Sequence, residues 1–406
     1  MRRAIGELSL AERSAIRAIQ RQRLGLPGIR FQPTVLEAHG RFVPDPLGPD
    51  FGANLPARIA ESSGSTFFIS TTGNDTTGDG SQSLPWLTPS KALSTVALGS
   101  RIFARGGVYN LTGDHTWNRV GTAGTVTTLE SFTDELADFS GGRFNINGGK
   151  YLRLRNFIKR DSQLAVEDNI KIQAGAQFID IDKLVIKDSH RQGFLVQGDT
   201  TSDWQIWNTK FVTNGTTDNL DHGMYVAASA SGLIANCVFD RNQAYGIQLY
   251  PNADNIIVVT TTFDGHTGFG ASQASSLGAI TISGEATKTE NSFIMGCLMT
   301  NGSKAVNQFW GSGVPVDPNK NDVQDCIGGG NSTATEFDTQ LGVVYARITQ
   351  DTNPLYVNQG AQDFHLDDGS PAIDYIDAVN YDWIPPTDIE GTVRVTADAG
   401  AYAYAG

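Results

Sequence analysis

Five charged or titratable residues in and near turn-like stretches of the chain could catalyse reactions on glycosidic bonds. Hydrolysis uses two carboxyl groups, about 5.5 Å apart for retention and about 6.5 to 9.5 Å apart for inversion of the anomeric carbon. Asp264 is a further carboxylate for such a pair. Asp residues in turns also serve simply to accept hydrogen bonds from nearby backbone. The candidate catalytic residues are Asp221, His222, Asp240, Arg241 and Glu285.

His222 and a nearby arginine offer a second kind of chemistry. Elimination from a uronate needs a base that removes the proton beside the carboxylate and a cation that neutralises this carboxylate. His222 is the candidate base, and Arg191 or Arg241 is the candidate cation. These residue types leave hydrolysis, elimination and binding without cleavage open.

Aromatic and polar side chains in the same part of the chain are suited to binding sugars. Aromatic rings stack on sugar rings, and a few well-placed polar groups fix the orientation of a bound ligand. This mixture predicts a groove for a glycan. The candidate binding residues are His190, Arg191, Tyr225, Gln248 and Tyr250.

A strand type that begins with glycine recurs in the middle of the chain. Its copies begin at Gly193, Gly223, Gly246 and Gly278, at intervals of 30, 23 and 32 residues. The strands are rich in Val, Ile, Phe and Thr, and the turns are rich in Asn, Gly and Asp. Irregular periods of this length favour a β-solenoid over a helical repeat.

Alternation within these strands predicts which side chains face the core. Successive side chains of a strand point to opposite faces, so Leu195, Tyr225, Gln248 and Tyr250 are expected side by side on the outside of one face. A slip of one residue would exchange the two faces, and the list of site residues depends on this register. The residues expected to point inward are Phe194, Val196, Met224, Val226, Ile247 and Leu249.

Two segments predict the ends of the solenoid. Near residue 67 an apolar strand leads into an Asn-Asp-Gly turn, and the apolar-periodic stretch from Ala92 to Leu98 predicts a short helix. Near the C-terminus, Gly369 to Asp374 is followed by Arg394 and by Asp398 to Tyr402. These segments resemble the opening and closing segments of pectate-lyase-like β-helix proteins. The family often ends in Tyr-Glu-Tyr, whereas this chain has Tyr402-Ala403-Tyr404.

The resemblance covers residues 65 to 406 and implies an all-β fold. This fold is a single-stranded right-handed parallel β-helix, here with a short N-terminal helix and an extended arm. Lyases, hydrolases, epimerases and pure binders share the scaffold, so the resemblance says little about activity. It implies a cell-surface polysaccharide as the partner. The expected division is an N-terminal part at 1–60, the β-helix at 61–345 and its closing segment at 346–406.

Residues 1–60 differ from the rest of the chain. A capping-box pattern at Ser9 to Glu12 predicts a helix over 10–24, and five prolines between residues 31 and 60 favour an extended arm. Residues 1–58 carry nine Arg, no Lys and five acidic residues, a net charge of +4; since the whole chain carries −13, the remainder carries −17. The N-terminal part is expected either to cap the solenoid or to dock onto another protein.

The charge and the apolar pattern exclude two kinds of partner. Binding of nucleic acid requires a basic face, which the acidic solenoid lacks. No apolar stretch is long enough for membrane insertion. Charged residues also interrupt the first 24 positions, so the apolar core of an export signal is missing.

A β-helix that acts on polysaccharide without an export signal resembles phage tailspikes and tail fibres, which leave the host by lysis. We therefore expect a homotrimeric virion tail protein, made in the host cytoplasm, that binds host polysaccharide. Whether it also depolymerises this polysaccharide is left open. Residues 1–60 would bind other virion tail proteins. The alternatives are a stand-alone lyase or hydrolase, secreted if a signal has been removed, and a non-catalytic structural virion component.

Three cysteines and two acidic clusters complete the candidate sites. Cys237, Cys297 and Cys326 lack the spacing of metal ligands and are expected to be buried free thiols. No cofactor is expected, with Ca²⁺ as the alternative, because hard cations bind oxygen-rich clusters. The two clusters are Asn74, Asp75 and Asp79, and Asp377, Asp382 and Asp388.

Overall fold

Short strands separated by left-handed corner residues wind the chain into stacked coils. Each coil contributes strands to three faces, and most strands pair in parallel with a strand of the next coil. The computed structural model is therefore a right-handed parallel β-helix, which confirms the predicted fold. The structure describes residues 55–163, 167–216, 221–266, 277–285, 287–311, 320–333, 335–340 and 342–404.

Face 2 is an 11-stranded parallel sheet. Its inward β-branched side chains stack from coil to coil, as where Ile206 pairs with Ile181 on one side and with Ile234 on the other. Its strands are β1 (Thr66–Ile69), β2 (Arg101–Ala104), β4 (Thr127–Ser131), β6 (Lys150–Arg155), β9 (Gln177–Asp182), β12 (Ser202–Trp207), β15 (Ala230–Ala235), β18 (Asp254–Val259), β21 (Phe293–Met295), β24 (Asn321–Gln324) and β26 (Val343–Ala346).

Face 3 follows face 2 after a tight corner and buries a column of phenylalanines. The rings of Phe211 and Phe239 stack with centroids 4.3 Å apart, and those of Phe239 and Phe263 with centroids 5.0 Å apart. The short strands of face 3 are β7 (Ile158–Arg160), β10 (Val185–Lys187), β13 (Lys210–Val212), β16 (Val238–Asp240), β19 (Thr262–Asp264), β22 (Leu298–Thr300) and β25 (Ile327–Gly329).

Face 1 has the register predicted from the alternation. All six side chains expected to point inward are fully buried, whereas Leu195, Tyr225, Gln248 and Tyr250 are partly exposed. Two long strands of the first coils, β3 (Gly107–Trp117) and β5 (Ala137–Asn147), span both face 3 and face 1. The other strands of face 1 are β8 (Ile170–Gln173), β11 (Phe194–Gln197), β14 (Met224–Ala227), β17 (Ile247–Leu249), β20 (Gly278–Gly284) and β23 (Lys304–Trp310).

One left-handed residue makes the corner between face 2 and face 3 in successive coils. Asn208, Asn236 and Thr260 have φ angles of 50°, 54° and 45°. The conformation is unfavourable for residues other than Gly, least so for Asn and Asp. Hydrogen bonds along the stack offset this cost: the Thr260 Oγ1 hydroxyl donates to Asn236 Oδ1 at 2.8 Å, and Asn236 Nδ2 lies 3.3 Å from Asn208 Oδ1.

A short helix lies at the N-terminal end of the β-helix, as predicted, but it begins three residues before the predicted stretch from Ala92 to Leu98 and ends at Thr95. Helix α1 (Pro89–Thr95) begins with a proline, and the Thr88 side chain accepts a hydrogen bond from the Lys91 N–H. Its apolar side buries Ala92 and Leu93. Two 3₁₀ helices follow much later, at Gln359–Ala361 and Ala378–Trp383. No helix among the described residues is long and apolar enough to span a membrane.

The predicted closing segment runs back toward earlier coils over the outside of faces 2 and 3. It contains an antiparallel pair, β27 (Tyr356–Asn358) and β28 (Asp363–Leu366). Trp383 packs among outward apolar residues of face 2 such as Phe293, and Phe364 packs against Val238 of face 3. The parts of faces 2 and 3 beneath the closing segment are therefore covered.

Arg394 and Asp398 of the C-terminal motif are buried in the closing segment. The Arg394 side chain is fully buried, and its guanidinium donates to Asn236 Oδ1 at 3.2 Å and to the Gly400 carbonyl at 2.8 Å. Asp398 lies beside it and accepts from the Asp374 and Tyr404 N–H groups. The motif that carries the family resemblance therefore fastens the closing segment to the corner between faces 2 and 3.

The end of the predicted N-terminal arm lies along the outside of face 2. Arg58 Nη2 is 2.5 Å from Asp180, and Arg153 Nη1 is 2.8 Å from Glu61. The Gln205 side chain donates to the Ala57 carbonyl at 2.9 Å. The predicted helix over 10–24, like every residue up to 54, lies outside the described residues.

Replacing Phe239 by Ala is expected to lower the free energy of unfolding by about 3–5 kcal/mol, because it opens a cavity in the phenylalanine column. Phe309→Ala is the matched control, since that ring is 56% exposed. Urea unfolding followed by circular dichroism measures the difference. Equal midpoints for the two variants would show that the column does not stabilise the fold.

Candidate functional site

Face 1 carries one outward side chain from each coil in a continuous line. Tyr225 is paired with Leu195 in the preceding coil and with Gln248 in the next one. Since neighbouring strands are about 4.8 Å apart, these side chains form a ladder that points away from the core. Its middle members are partly exposed, whereas Asn145, Thr281 and Asn307 are buried. We call this line the face-1 row; it consists of Asn145, Lys171, Leu195, Tyr225, Gln248, Thr281 and Asn307.

Two further predicted residues border the face-1 row at the ends of its strands. Tyr250 follows β17, and Glu285 follows β20 and is exposed. Burial and the hydrogen-bonded Glu285 carboxylate raise the pKa of Tyr250 to about 12. Burial, and after it the Glu285 charge, also raises the pKa of Tyr225. Both phenols therefore keep their protons at neutral pH and can donate hydrogen bonds beside a carboxylate.

Asp221 is buried at the start of face 1, where its carboxylate already has partners. Arg191 Nε lies 3.3 Å from Oδ1, and the Thr216 N–H donates to Oδ2 at 3.0 Å. The Arg191 side chain is 31% exposed and also lies 3.6 Å from Glu167. Asp221 thus positions Arg191, and the guanidinium is the part of this pair that a ligand can reach.

His190 precedes Arg191 and is fixed through its backbone. Its N–H donates to Ser162 Oγ at 3.1 Å, and its carbonyl accepts from Thr216 Oγ1 at 3.0 Å. The residue is partly exposed. It lies beside Arg191, shortly before strand β11 of face 1.

His222 is enclosed between two tyrosines. Its ring centroid is 5.8 Å from that of Tyr225 and 5.1 Å from that of Tyr245. Burial lowers the pKa of His222 to about 3, although the nearby Asp221 charge and Gln248 side chain oppose this shift. The ring is neutral at physiological pH, and its contacts assign it to packing beneath Tyr225.

Asp240 and Arg241 lie on face 3, where Asp240 is paired with Asp264 of the next coil. Together with residues of the closing segment they line a cavity of about 300 Å³. The Gln359 side chain donates to Asp264 Oδ1 at 2.7 Å across this cavity. We call the cavity the face-3 cleft; its lining is Asp240, Arg241, Asp264, Asn301, Gln359, Gly360 and Gln362.

Arg241 bends back over its neighbour in the face-3 cleft. It is a left-handed corner residue with a φ of 48°, and its Nη2 lies 2.9 Å from Asp240 Oδ2. A Cβ at Gly265, the corner residue of the next coil, would lie 2.7 Å from Arg241 Cγ. The glycine therefore makes room for the aliphatic part of the Arg241 side chain. Burial raises the pKa of Asp240, and Arg241 opposes that effect.

The sequence did not reveal Asn301 or Gln359 as parts of a site. Gln359 is 95 positions from Asp264, and it reaches the cleft only because the closing segment folds back over face 3. Asn301 is the left-handed corner residue after β22 and donates to Asp264 Oδ1 at 3.1 Å. Turn chemistry alone explains an Asn at such a corner, so its type gave no functional signal.

The predicted calcium clusters bind backbone groups in the structure. Asp75 accepts from the Leu87 and Thr88 N–H groups, and Asp388 accepts from the Glu390 and Thr392 N–H groups. No group of three or more His, Cys, Asp or Glu side chains within the described ranges is arranged to hold a metal ion. The three cysteines are free and buried, as predicted.

Comparison with known families agrees with the fold. The family model described as "Right handed beta helix region" matches residues 168–327. The matched stretch includes most of the face-1 row together with Asp240 and Asp264. The protein is thus of the right-handed β-helix class, in agreement with the predicted fold. Comparison with curated protein sequences found no match.

Solved structures similar to this chain include enzymes and a viral protein. The pectate lyase Pel9A has 12% identity and a TM-score of 0.49, with 85% of this chain and 98% of that chain covered. An alginate lyase from Paenibacillus sp. str. FPU-7 has 17% identity and a TM-score of 0.45, with 70% and 99% covered. A Geobacillus virus E2 protein has 12% identity and a TM-score of 0.43, with 71% and 62% covered. No residue role is transferred from them.

The His222 ring is expected to remain neutral at pH 5. Its pKa is about 3 in the folded protein against an ordinary value of 6.5, so the unfolded chain binds the extra proton first and stability falls as pH drops below about 6.5. Long-range ¹H–¹⁵N spectra of the imidazole nitrogens report the charge, and His222→Phe assigns the signals. Half-protonation between pH 6 and 7 would instead indicate a base that is open to solvent.

Proposed function

We propose that the protein binds a polysaccharide along face 1. The observation that carries this proposal is the adjacency of Tyr225, Gln248, Tyr250 and Glu285 on the outer surface of successive coils. Aromatic rings supply stacking surfaces, and the amide, phenol and carboxylate groups supply hydrogen bonds to hydroxyls. The regular coil spacing repeats these contacts along one direction, which suits a chain-like ligand.

Two cations extend the face-1 row toward earlier coils. Lys171 is a member of the row, and Arg191 stands at its edge with its guanidinium partly exposed. Lys171 adds positive charge to this end of the row, whereas the charge of Arg191 is offset by the carboxylates of Asp221 and Glu167. An acidic sugar residue would be held at this end of the row and a neutral one beside the tyrosines.

Binding without cleavage is the function that face 1 supports best. His222 is buried, and its low pKa makes it a weak base. The Asp221 carboxylate is occupied by Arg191 and by the Thr216 N–H. Depolymerisation by a lyase or hydrolase is the alternative outcome of the test, and it would appear as loss of polymer length.

The biological setting that we propose is the tail of a phage virion. The support is the division of the chain into a basic, proline-rich N-terminal part and an acidic β-helix, as in a spike with a docking arm. Residues 1–60 would bind other virion tail proteins, and the β-helices would form a homotrimer that presents face 1 to the host surface.

Tyr225→Ala and Tyr250→Ala are each expected to weaken polysaccharide binding about tenfold, because truncating an aromatic anchor at an interface costs more than about 1 kcal/mol. Biolayer interferometry on a panel of immobilised bacterial capsular polysaccharides and O-antigens measures the affinity. Tyr151→Ala is the matched control, since Tyr151 stacks on Phe178 of face 2. Equal losses in all three variants would exclude face 1 as the binding surface.

The full chain is expected to be a trimer in solution. Light scattering coupled to size-exclusion chromatography should give about three times the chain mass of 43.6 kDa. A deletion of residues 1–54 keeps Arg58 and Glu61 on face 2 and should spare glycan binding. A monomeric full chain would contradict the spike interpretation and favour a stand-alone enzyme or binder.

A further inference from the structure

The face-3 cleft is a pocket built from two remote parts of the chain. Strands of face 3 supply Asp240 and Asp264, and the closing segment supplies Gln359 and Gln362. Its volume of about 300 Å³ is at the lower end of the range of ligand sites. One sugar ring fits such a space, whereas a polymer would need an open groove.

One oxygen of a nearly buried carboxylate in this cleft lacks a donor. Asp264 is only 7% exposed, and its Oδ1 accepts from Thr300 Oγ1 at 2.7 Å, from Asn301 Nδ2 at 3.1 Å and from Gln359 Nε2 at 2.7 Å. Its Oδ2 has no hydrogen-bond partner among the described residues. Oδ2 is not fully buried, so solvent or a ligand can reach it in the cleft. This oxygen is therefore an acceptor that a ligand with O–H or N–H groups can satisfy.

The groups around Asp264 favour a hydroxyl-bearing ligand over a cation. A metal ion would need several oxygen ligands, but Asn301 and Gln359 both direct their NH₂ groups to the carboxylate. The Arg241 guanidinium covers Asp240 and would repel a cation. With both aspartates ionised, these two and Arg241 carry one net negative charge, which disfavours an anionic ligand.

We propose that the face-3 cleft binds a single neutral sugar residue through its hydroxyl groups. Asp264 Oδ2 accepts one hydroxyl proton, while the amide groups of Gln359 and Gln362 and the Arg241 guanidinium contact further hydroxyls. The cleft lies on another face than the face-1 row, so this proposal stands independently of the polysaccharide site. Gln359 also makes ligand binding depend on the position of the closing segment.

Saturation-transfer NMR on the full chain tests the proposal with glucose, galactose, mannose, rhamnose and N-acetylglucosamine as separate millimolar probes. At least one sugar is expected to bind the wild type. Asp264→Asn should weaken that sugar's binding about ten- to a hundredfold, because it removes a charged hydrogen-bond acceptor of nearly unchanged shape. Gln359→Ala should weaken it as well, without any change in the melting of the β-helix core.

Two control variants separate binding in the face-3 cleft from binding elsewhere on the protein. Asp254→Asn removes a half-buried carboxylate on face 2 that lines neither site, and it should leave sugar binding unchanged. Sugar binding that Tyr225→Ala weakens and Asp264→Asn does not would place the sugar on face 1 and overturn the proposal. Absence of binding by all five sugars, or equal binding by wild type and Asp264→Asn, would overturn the proposal. Terbium luminescence tests for a cation site. If terbium bound to the wild type luminesced and calcium displaced it, while Asp264→Asn gave no such signal, the sugar proposal would be overturned in favour of a cation site.

Discussion

The stacking of successive coils in register is the constraint on which the rest of this structure depends. One left-handed corner residue per coil, at Asn208, Asn236 and Thr260, sets where face 2 ends and face 3 begins. A slip by one residue would turn the phenylalanine column outward and the face-1 row inward. The same stacking that fills the core therefore also aligns the outward side chains, so the fold and the candidate binding surface have a common cause.

The sequence predicted those parts of the molecule that local pattern determines. Alternation within short strands gave the correct burial of Phe194, Met224 and Ile247, and the apolar periodicity that begins at Ala92 predicted a helix close to α1. Tyr225, Gln248 and Tyr250 followed from the same alternation. The C-terminal part of the family resemblance included Arg394 and its neighbours, whose contacts show a structural role in fastening the closing segment.

Long-range contacts were beyond prediction from pattern. The closing segment brings Gln359 to Asp264, which is 95 positions away in the chain, and no repeat in the sequence predicts that contact. Composition also gave no indication that His222 would be enclosed, because a His before a Gly is equally compatible with an exposed turn. Its residue type suggested a base, but in the structure the His222 ring is buried between Tyr225 and Tyr245 and packs against them.

The most direct test of the account is a crystal structure of the full chain with an oligosaccharide fragment of a polysaccharide that it binds. The account predicts electron density for several sugar residues along face 1, with rings against Tyr225 and Tyr250 and a hydroxyl within hydrogen-bond distance of Gln248. An oligosaccharide bound along another face, with face 1 empty, would contradict the central claim that coil stacking builds the binding surface there.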